Sequence, residues 1–339
     1  MMMPPRISLK DVANQAGVSA MTVSRAMRSD PRVLPGTKAR ILEFVREMGY
    51  QTDPNLQQMM GYMRKARAGR RNAAIAFVWP DLSPQASAAL PHLRRMVEGA
   101  SRRAEESGFG LDEFWIQGAG MSAARLCSVL DHRGIQCVIL APLCRRAHGH
   151  LRMEWERYSV VTTGLGLWRP QLHRVHFDHY GSMVTAMRKL AHGNRKRIAM
   201  VAERELHERM HRARAAAFLA HHPLGPLAAA RLLLVAPKLT PEKVIPFLEK
   251  NNVEVLVGGI DTNAGWLDHL NVPEALSYVT LSRSDSHPEI PGIDERYDLL
   301  GSDAVDMVVA QFHRRERGIP ERPKVILTQG EWREPTSST

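Results

Sequence analysis

The chain has 339 residues, 44% hydrophobic and 24% charged, a composition that excludes collagen, coiled coil and wholesale disorder and is enough for two or three domains. Its formal net charge of +11 is concentrated: residues 1–72 hold 13 Lys and Arg against 5 Asp and Glu, which points to a polyanionic partner for the leading fifth of the chain. There is no run of about 18 apolar residues and no apolar stretch after Met1–Arg6, so neither a membrane span nor a secretory signal is read, and a cytoplasmic protein with no membrane partner is expected.

Three helices are predicted first. Ser8-Leu9-Lys10-Asp11 fits a capping box that opens a helix running to about Ala16. Gly17 supplies the positive φ that ends it, and Ser19 caps a second helix from Ala20 to about Met27. Val12, Ala13, Ala16, Val18, Val23, Ala26 and Met27 can form a small core, closed by Ile41, Leu42, Val45 and Met48 on a third helix ending at Gly49. On the second helix this leaves Ala20, Met21, Thr22, Ser24, Arg25 and Arg28. Short side chains at its start suit base edges, and the cations and hydroxyls suit phosphates. Thr22 can equally serve as a capping partner of Ser19.

Leu9-Lys10-Asp11-Val12-Ala13, Ala16-Gly17-Val18-Ser19 and Thr22-Val23-Ser24-Arg25, followed by Val33, Thr37, Ile41 and Gly49-Tyr50, closely resemble the helix-turn-helix headpiece of the lac-repressor (LacI/GalR) family. The resemblance implies that Ala20, Met21 and Arg25 reach base edges. It also implies that Thr22, Ser24, Arg32, Thr37 and Tyr50 hold the DNA backbone; Ser19 at the cap and Arg28 at the exposed end of the second helix are placed in the same interface from their position and chemistry.

After Tyr50, Leu56, Met59, Met60 and Met63 fall at i, i+3, i+4 and i+7, which predicts a short helix with one apolar stripe. Such a stripe can pack on a neighbouring core, but this one lies in a linker rich in Gly, Lys and Arg. In the family it resembles, the segment is a hinge helix that pairs with its dimer mate in the minor groove. The wedge position matches Met59, where the family usually has Leu. A wedge unstacks a base step at a cost of a few kcal/mol, and a flexible Met wedges less sharply.

From about Asn72 onward, apolar runs alternate with amphipathic stretches. Strand candidates are Ala73–Trp79, Gly110–Ile116, Gln136–Ala141, Val160–Thr163, Ile198–Ala202, Leu232–Val235, Val255–Gly259, Leu276–Leu281 and Val325–Thr328. Helical stretches include Leu93–Ser107, Ala123–His132, Tyr180–His192, Glu208–His221 and Thr240–Asn251. This predicts α/β architecture with parallel doubly wound sheets, in two lobes because nine strands are many for one sheet. The resemblance implies a two-lobed, periplasmic-binding-protein-like effector domain. The expected division is a headpiece at 1–53, a hinge helix and basic linker at 54–72, and an effector-binding and dimerisation domain at 73–339. Within that domain the N-lobe is expected at about 73–174 and 292–322, and the C-lobe at about 175–291 and 323–334.

Several motifs invite other chemistry. Cys127, Cys137 and Cys144 are odd in number and lack CxxC spacing, which argues against a disulfide framework or a thiolate metal site. His207-Glu208-Arg209-Met210-His211 has the HExxH form of a zinc peptidase, without a metzincin third ligand. Gly118-Ala119-Gly120 to Ala123 has the GxGxxA form of a dinucleotide cradle, but Asp112 and Glu113 in the preceding strand and Arg145-Arg146 after the next one oppose it. His221-His222 and His148 with His150 are expected on the surface. No metal and no cofactor are therefore expected.

In parallel sheets, ligands sit beyond the C-terminal ends of the strands, which selects Trp79, Asp81, Leu143, Gly164, Glu203 and Asp261. By resemblance, Arg214 is an effector-gripping Arg, with Arg212 as the neighbouring alternative, and Asp261 is the acid of an Asn-Asp pair. Ile260 replaces that Asn, and Ser282-Arg283 replace a second Asp-Asp pair. Both losses weaken the case for a common hexose as the sugar-related effector of the family. The reading is a homodimeric, sequence-specific repressor of double-stranded DNA with a pseudopalindromic operator, controlled by a small molecule. A small-molecule binding protein with a vestigial headpiece, or a zinc- or dinucleotide-using enzyme, is the alternative.

Overall fold

The computed structural model describes residues 9–27, 33–48, 73–116, 121–144, 149–191, 195–258, 276–283 and 287–336. The chain divides into two units, Met1–Arg71 and Asn72–Thr339. In the first, helices α1 (Leu9–Ala16), α2 (Ala20–Met27) and α3 (Pro35–Glu47) enclose Val12, Ala13, Ala16, Val23, Ala26, Val33 and Ile41, with Val18, Met27, Phe44, Val45 and Met48 packed around them. Phe44 takes the place in this core that the sequence pattern gave to Leu42. Gly17 stands at φ +65°, and the Val18 N–H donates back to the Ala13 carbonyl at 3.0 Å, closing α1 so that α2 can begin three residues later.

The second unit holds two six-stranded sheets. The first contains β1 (Ala74–Trp79), β2 (Gly110–Trp115), β3 (Cys137–Leu140), β5 (Ser159–Thr163), β7 (His173–Phe177) and β13 (Val325–Thr328), in the order β13-β7-β5-β3-β1-β2, all parallel. The second contains β8 (Ile198–Glu203), β9 (Leu233–Ala236), β10 (Val255–Gly258), β11 (Ser277–Thr280), β12 (Gly292–Asp294) and β14 (Glu331–Arg333), in the order β14-β12-β11-β10-β8-β9. Only β14 in it runs antiparallel. A small pair, β4 (Gly149–His150) with β6 (Leu167–Arg169), stands apart.

The sequence of β1, AIAFVW, is almost wholly buried because helices cover both faces of a parallel sheet. Ile75, Phe77 and Trp79 face a core shared with α5 (Pro91–Glu106) and α12 (Tyr297–Arg314), while Ala76 and Val78 face the opposite core with Leu126, Leu130 and Tyr158. The other helices are α4 (Pro84–Ala88), α6 (Ala123–Arg133), α7 (His179–Ala191), α8 (Arg204–Arg209), α9 (Ala213–His221), α10 (Pro226–Arg231) and α11 (Pro241–Lys250). Helices α5 and α12 touch backbone to backbone: a Cβ on Gly301 would lie 2.0 Å from the Met96 carbonyl oxygen, and one on Gly99 would lie 2.1 Å from that of Asp298.

Three expectations are corrected. The chain passes between lobes after Phe177, after Asp294 and after Thr328, so β12 belongs to the second sheet and β13 to the first, where the expected division had each in the other lobe, while α12 and β14 lie in the lobes it gave them. Pairing decides this: Thr280 pairs with Gly292, and Val325 pairs with Arg174. The stretch Glu208–His221 is two helices, broken where His211 and Arg212 adopt φ of 50° and 59°. His222 is buried: Leu224 N–H donates to its Nδ1 and its Nε2 donates to the Ile198 carbonyl, so the ring is neutral and its pKa is pushed down by burial. Among the described residues, no helix is long and apolar enough to cross a membrane.

Candidate functional site

In the first unit, the start of α2 is fixed by its own residues. Ser19 Oγ accepts from the Thr22 N–H at 3.1 Å and lies 2.8 Å from Thr22 Oγ1, satisfying one of the free donors of the first turn. Thr22 therefore is a capping partner. Val23 and Ala26 anchor α2 in the core, and Arg40 closes the end of α1 by donating to the Ala16 carbonyl at 3.3 Å. Ala20, Met21 and Ser24 lie on α2, Arg25 in its last turn, and Thr37 in the first turn of α3. That first turn, after Leu34, has no side-chain cap, which leaves backbone donors of the kind that suit a phosphate. Arg28, Arg32, Tyr50 and Met59 lie outside the described residues.

In the second unit, a cavity of about 320 Å³ opens between the lobes. Strand-end residues Leu143, Gly164 and Glu203 line it, as does Arg214. Trp79 and Asp81 do not. Trp79 is buried in the core that includes Leu93, Phe177 and Leu300, and its Nε1 donates to Glu113 Oε2 at 2.8 Å beside Trp115, so its ring is taken up by packing at the sheet's edge and does not line the cavity. Asp81 is buried at the turn that follows. Asp261, like the GxGxxA glycines, is outside the described residues.

The centre of the site is a residue that the sequence reading missed. Glu295, 2% exposed, sits in the second crossover between β12 and α12. Arg214 Nη2 donates to its Oε1 at 2.7 Å and to the Leu281 carbonyl at 2.9 Å, while Ser282 Oγ donates to its Oε2 at 2.8 Å. His179, which begins α7 just after the first crossover, brings Nδ1 to 3.4 Å from Oε1. Burial alone would raise the Glu295 carboxyl, but the Arg214 charge and the bonds from His179 and Ser282 outweigh it and hold it at about 2. Burial lowers His179, against the pull of Glu295, and pushes His176 down to about 4. Tyr297 and Phe177 stack edge to face, with centroids 4.6 Å apart, forming an aromatic wall. The only sequence signals for this cluster were Arg214 and Ser282, the latter noted as a loss rather than a partner.

The HExxH residues do not assemble. Helix α8 ends at Arg209, so His207 and His211 do not share a helix face. Among the described residues, no group of three or more His, Cys, Asp or Glu could hold a metal ion.

Residues 8–53 match the family described as bacterial regulatory proteins, lacI family. The sucrose operon repressor of Escherichia coli is 45% identical over 58 residues, 17% of this chain and 18% of that protein. The HTH-type transcriptional regulator DegA of Bacillus subtilis (strain 168) is 32% identical over 104 residues, 31% of this chain and 27% of that protein. The chain thus spans less than a third of the length of these relatives. Two solved structures match nearly end to end. A complex of the transcriptional regulator CelR with cellobiose is 19% identical, covering 97% of this chain and 98% of that one, with TM-score 0.53. The lac repressor dimer bound to operator and the anti-inducer ONPF is 17% identical, covering 97% and 98%, with TM-score 0.52. At these identities the likeness is one of fold. The leading segment carries the lacI-family domain that its motifs resemble, and the chain has the headpiece and two-lobed α/β fold of these regulators.

Proposed function

We propose that this protein is a sequence-specific DNA-binding transcriptional regulator, a homodimeric cytoplasmic repressor that recognises a pseudopalindromic operator and responds to a small molecule bound between its lobes. The observation that carries this reading is the capped helix-turn-helix of residues 9–27 inside a segment matching the lacI family. Ala20, Met21 and Arg25 read base edges, and Thr22, Ser24, Arg28, Arg32, Thr37 and Tyr50 hold phosphates. Ser19 orders the first turn beside the DNA, and Met59 wedges the minor groove. Neutralisation of phosphates by the basic leading segment supplies much of the affinity, which then falls steeply with salt. That the relatives named above are regulators supports a role outside catalysis.

Effector binding biases a two-state equilibrium of the lobes, with coupling to operator affinity of about 1–3 kcal/mol. Arg214, joined by Glu295 and His179 at the crossovers, is where ligand contact and lobe geometry meet. The test is selection of bound sites from random duplexes with the full chain, then competition at about 150 mM salt. A selected site should outcompete scrambled duplex by about a thousandfold, and deletion of residues 1–72 should abolish duplex binding. Equal affinity for selected and scrambled duplexes would overturn the reading.

A further inference from the structure

We infer that the edge of the first sheet at β13 is a docking site for an extended, acidic segment of a partner protein, which adds to it as a further antiparallel strand. Strand β13 ends its sheet, with β7 on one side and no strand among the described residues on the other. The Arg174 N–H donates to the Lys324 carbonyl at 2.9 Å and the Asp178 N–H to that of Thr328 at 3.0 Å. By strand alternation, Val325 and Leu327 therefore turn their N–H and C=O groups away from β7, toward the open side.

Such an edge invites pairing, and proteins commonly blunt it with charged side chains on the strand itself. The opposite edge of this sheet, β2, carries Asp112 and Glu113. Strand β13 reads Val-Ile-Leu instead, and Val325, Ile326 and Leu327 are 54%, 38% and 50% exposed. Val325 and Leu327 project to one face and Ile326 to the other, so apolar surface flanks the open backbone on both sides. That combination of main-chain donors and acceptors with alternating apolar side chains is what an added strand uses.

Charge selects the partner. Where β13 begins, a groove of about 480 Å³ is bounded by Gln311 of α12, His173 of β7 and the loop leading to the strand. Arg315, Arg317, Arg322 and Lys324 line it. None of the four forms an ion pair among the described residues, and Arg317 donates to the neutral Gln136 at 3.0 Å. Of the two carboxylates in the lining, Glu316 is already held by Arg314 at 2.7 and 2.9 Å, which leaves Glu321. The groove is thus short of anions, and acids on the incoming strand supply them. An antiparallel strand brings its C-terminal residues to this end, so the partner carries its alternating apolar residues first and its acids after them. A second copy of this chain fits less well. Paired about Ile326 through its own β13, its strand ends at Thr328 opposite Lys324, and its next carboxylate, Glu331, is already engaged by Arg296 and Arg333 at 2.6 and 2.8 Å.

The test is fluorescence anisotropy with the full chain, without DNA, and a labelled peptide of four Val-Thr repeats followed by three Asp. Because the basic leading segment attracts acidic peptides in general, the deciding comparison is between wild type and variants of the edge. Leu327→Pro removes an N–H that faces the open side and leaves the ladder to β7 intact; it should weaken binding by about tenfold or more. If that variant fails to fold, Ile326→Lys, which places a charge on the edge, serves the same purpose. Arg322→Glu combined with Lys324→Glu should abolish the preference for this peptide over one ending in three Lys. No saturable binding at about 1 mM peptide, equal affinity of wild type for the Asp and Lys peptides, or binding indifferent to the edge variants overturns the inference. Sedimentation of the same samples tests the second copy: self-association lost in Leu327→Pro, with no peptide bound by the wild type, assigns the edge to this chain and overturns the partner.

Discussion

Replacing Arg214 with Met removes the guanidinium that neutralises Glu295 and keeps much of its hydrocarbon bulk. The two side chains are 2.7 Å apart and only 6% and 2% exposed, so salt and water screen them little. Unit charges about 4 Å apart attract by about 4 kcal/mol at an effective dielectric constant near 20, and stripping one partner from a buried pair costs about 3–5 kcal/mol. For a body of this size that lowers Tm by on the order of 10 °C at pH 7. Scanning calorimetry on the wild type, Arg214→Met, Glu295→Gln and the double variant should show the double recovering most of the loss, with a coupling of at least about 2 kcal/mol, because no lone charge remains. The pH dependence of the Glu295 contribution should also invert. In the wild type the carboxyl is held at about 2, so its contribution is present above about pH 4.3 and lost as pH falls toward 2. Without Arg214, burial raises the carboxyl, so its own contribution should favour folding as pH falls from 7 toward about 4.3, read as a narrowing of the gap between variant and wild type over that range. A single-variant loss below about 1 kcal/mol, or a double variant as unstable as the sum of the singles, would refute the assignment of Glu295 as an anion held by Arg214.

Gly301→Ala would place a Cβ 2.0 Å from the Met96 carbonyl oxygen and force α5 and α12 apart. Urea unfolding should report a loss of about 1–3 kcal/mol, and an unchanged midpoint would contradict the close approach. Ser19→Ala removes the acceptor of the Thr22 N–H and should cost about 1 kcal/mol of local stability, read as roughly fivefold faster amide exchange in α2; exchange at the wild-type rate would mean that the cap carries no weight. Burial lowers His173, His176, His179, His207 and His222, and His176 reaches about 4. Each ring binds a proton more readily unfolded, so stability should be full above about pH 6.5 and decline as pH falls toward 4, with a slope of up to about 1.4 kcal/mol per pH unit for each proton taken up. His176→Asn should flatten that decline; an identical slope would count against a buried neutral ring.

The headpiece was legible because its signals are local. Gly17 at positive φ, Ser19 as cap and apolar spacing over twenty residues need no distant partner to be read. Central strands such as β1 and β3 were legible for the same reason, being unbroken apolar runs. Strand β7 was not, since His173, Arg174 and His176 interrupt the pattern. Arg174 is nonetheless buried, its charge satisfied by the Gly164 and Leu167 carbonyls at 2.6 Å each, and a carbonyl cage from a neighbouring turn leaves no trace in the strand's own residues. Glu295 escaped likewise. It lies in a short irregular segment, and its partners come from positions up to 116 residues away in sequence, brought together by the crossovers. The strand-end rule located the cleft, but it fixes only where a strand stops and is silent on how far its last side chain is drawn into the core, and Trp79 is buried and bonded to Glu113.

The three passages between lobes bear on how the chain is made. Each sheet takes an edge strand from the segment 325–333, β13 for one and β14 for the other. During synthesis neither lobe can be completed until that segment has left the ribosome, so both wait, nearly finished, with an open sheet edge at the same moment. A nonsense mutation shortly after Arg314 would thus damage both halves at once, and neither lobe could be expressed as an uninterrupted stretch of coding sequence.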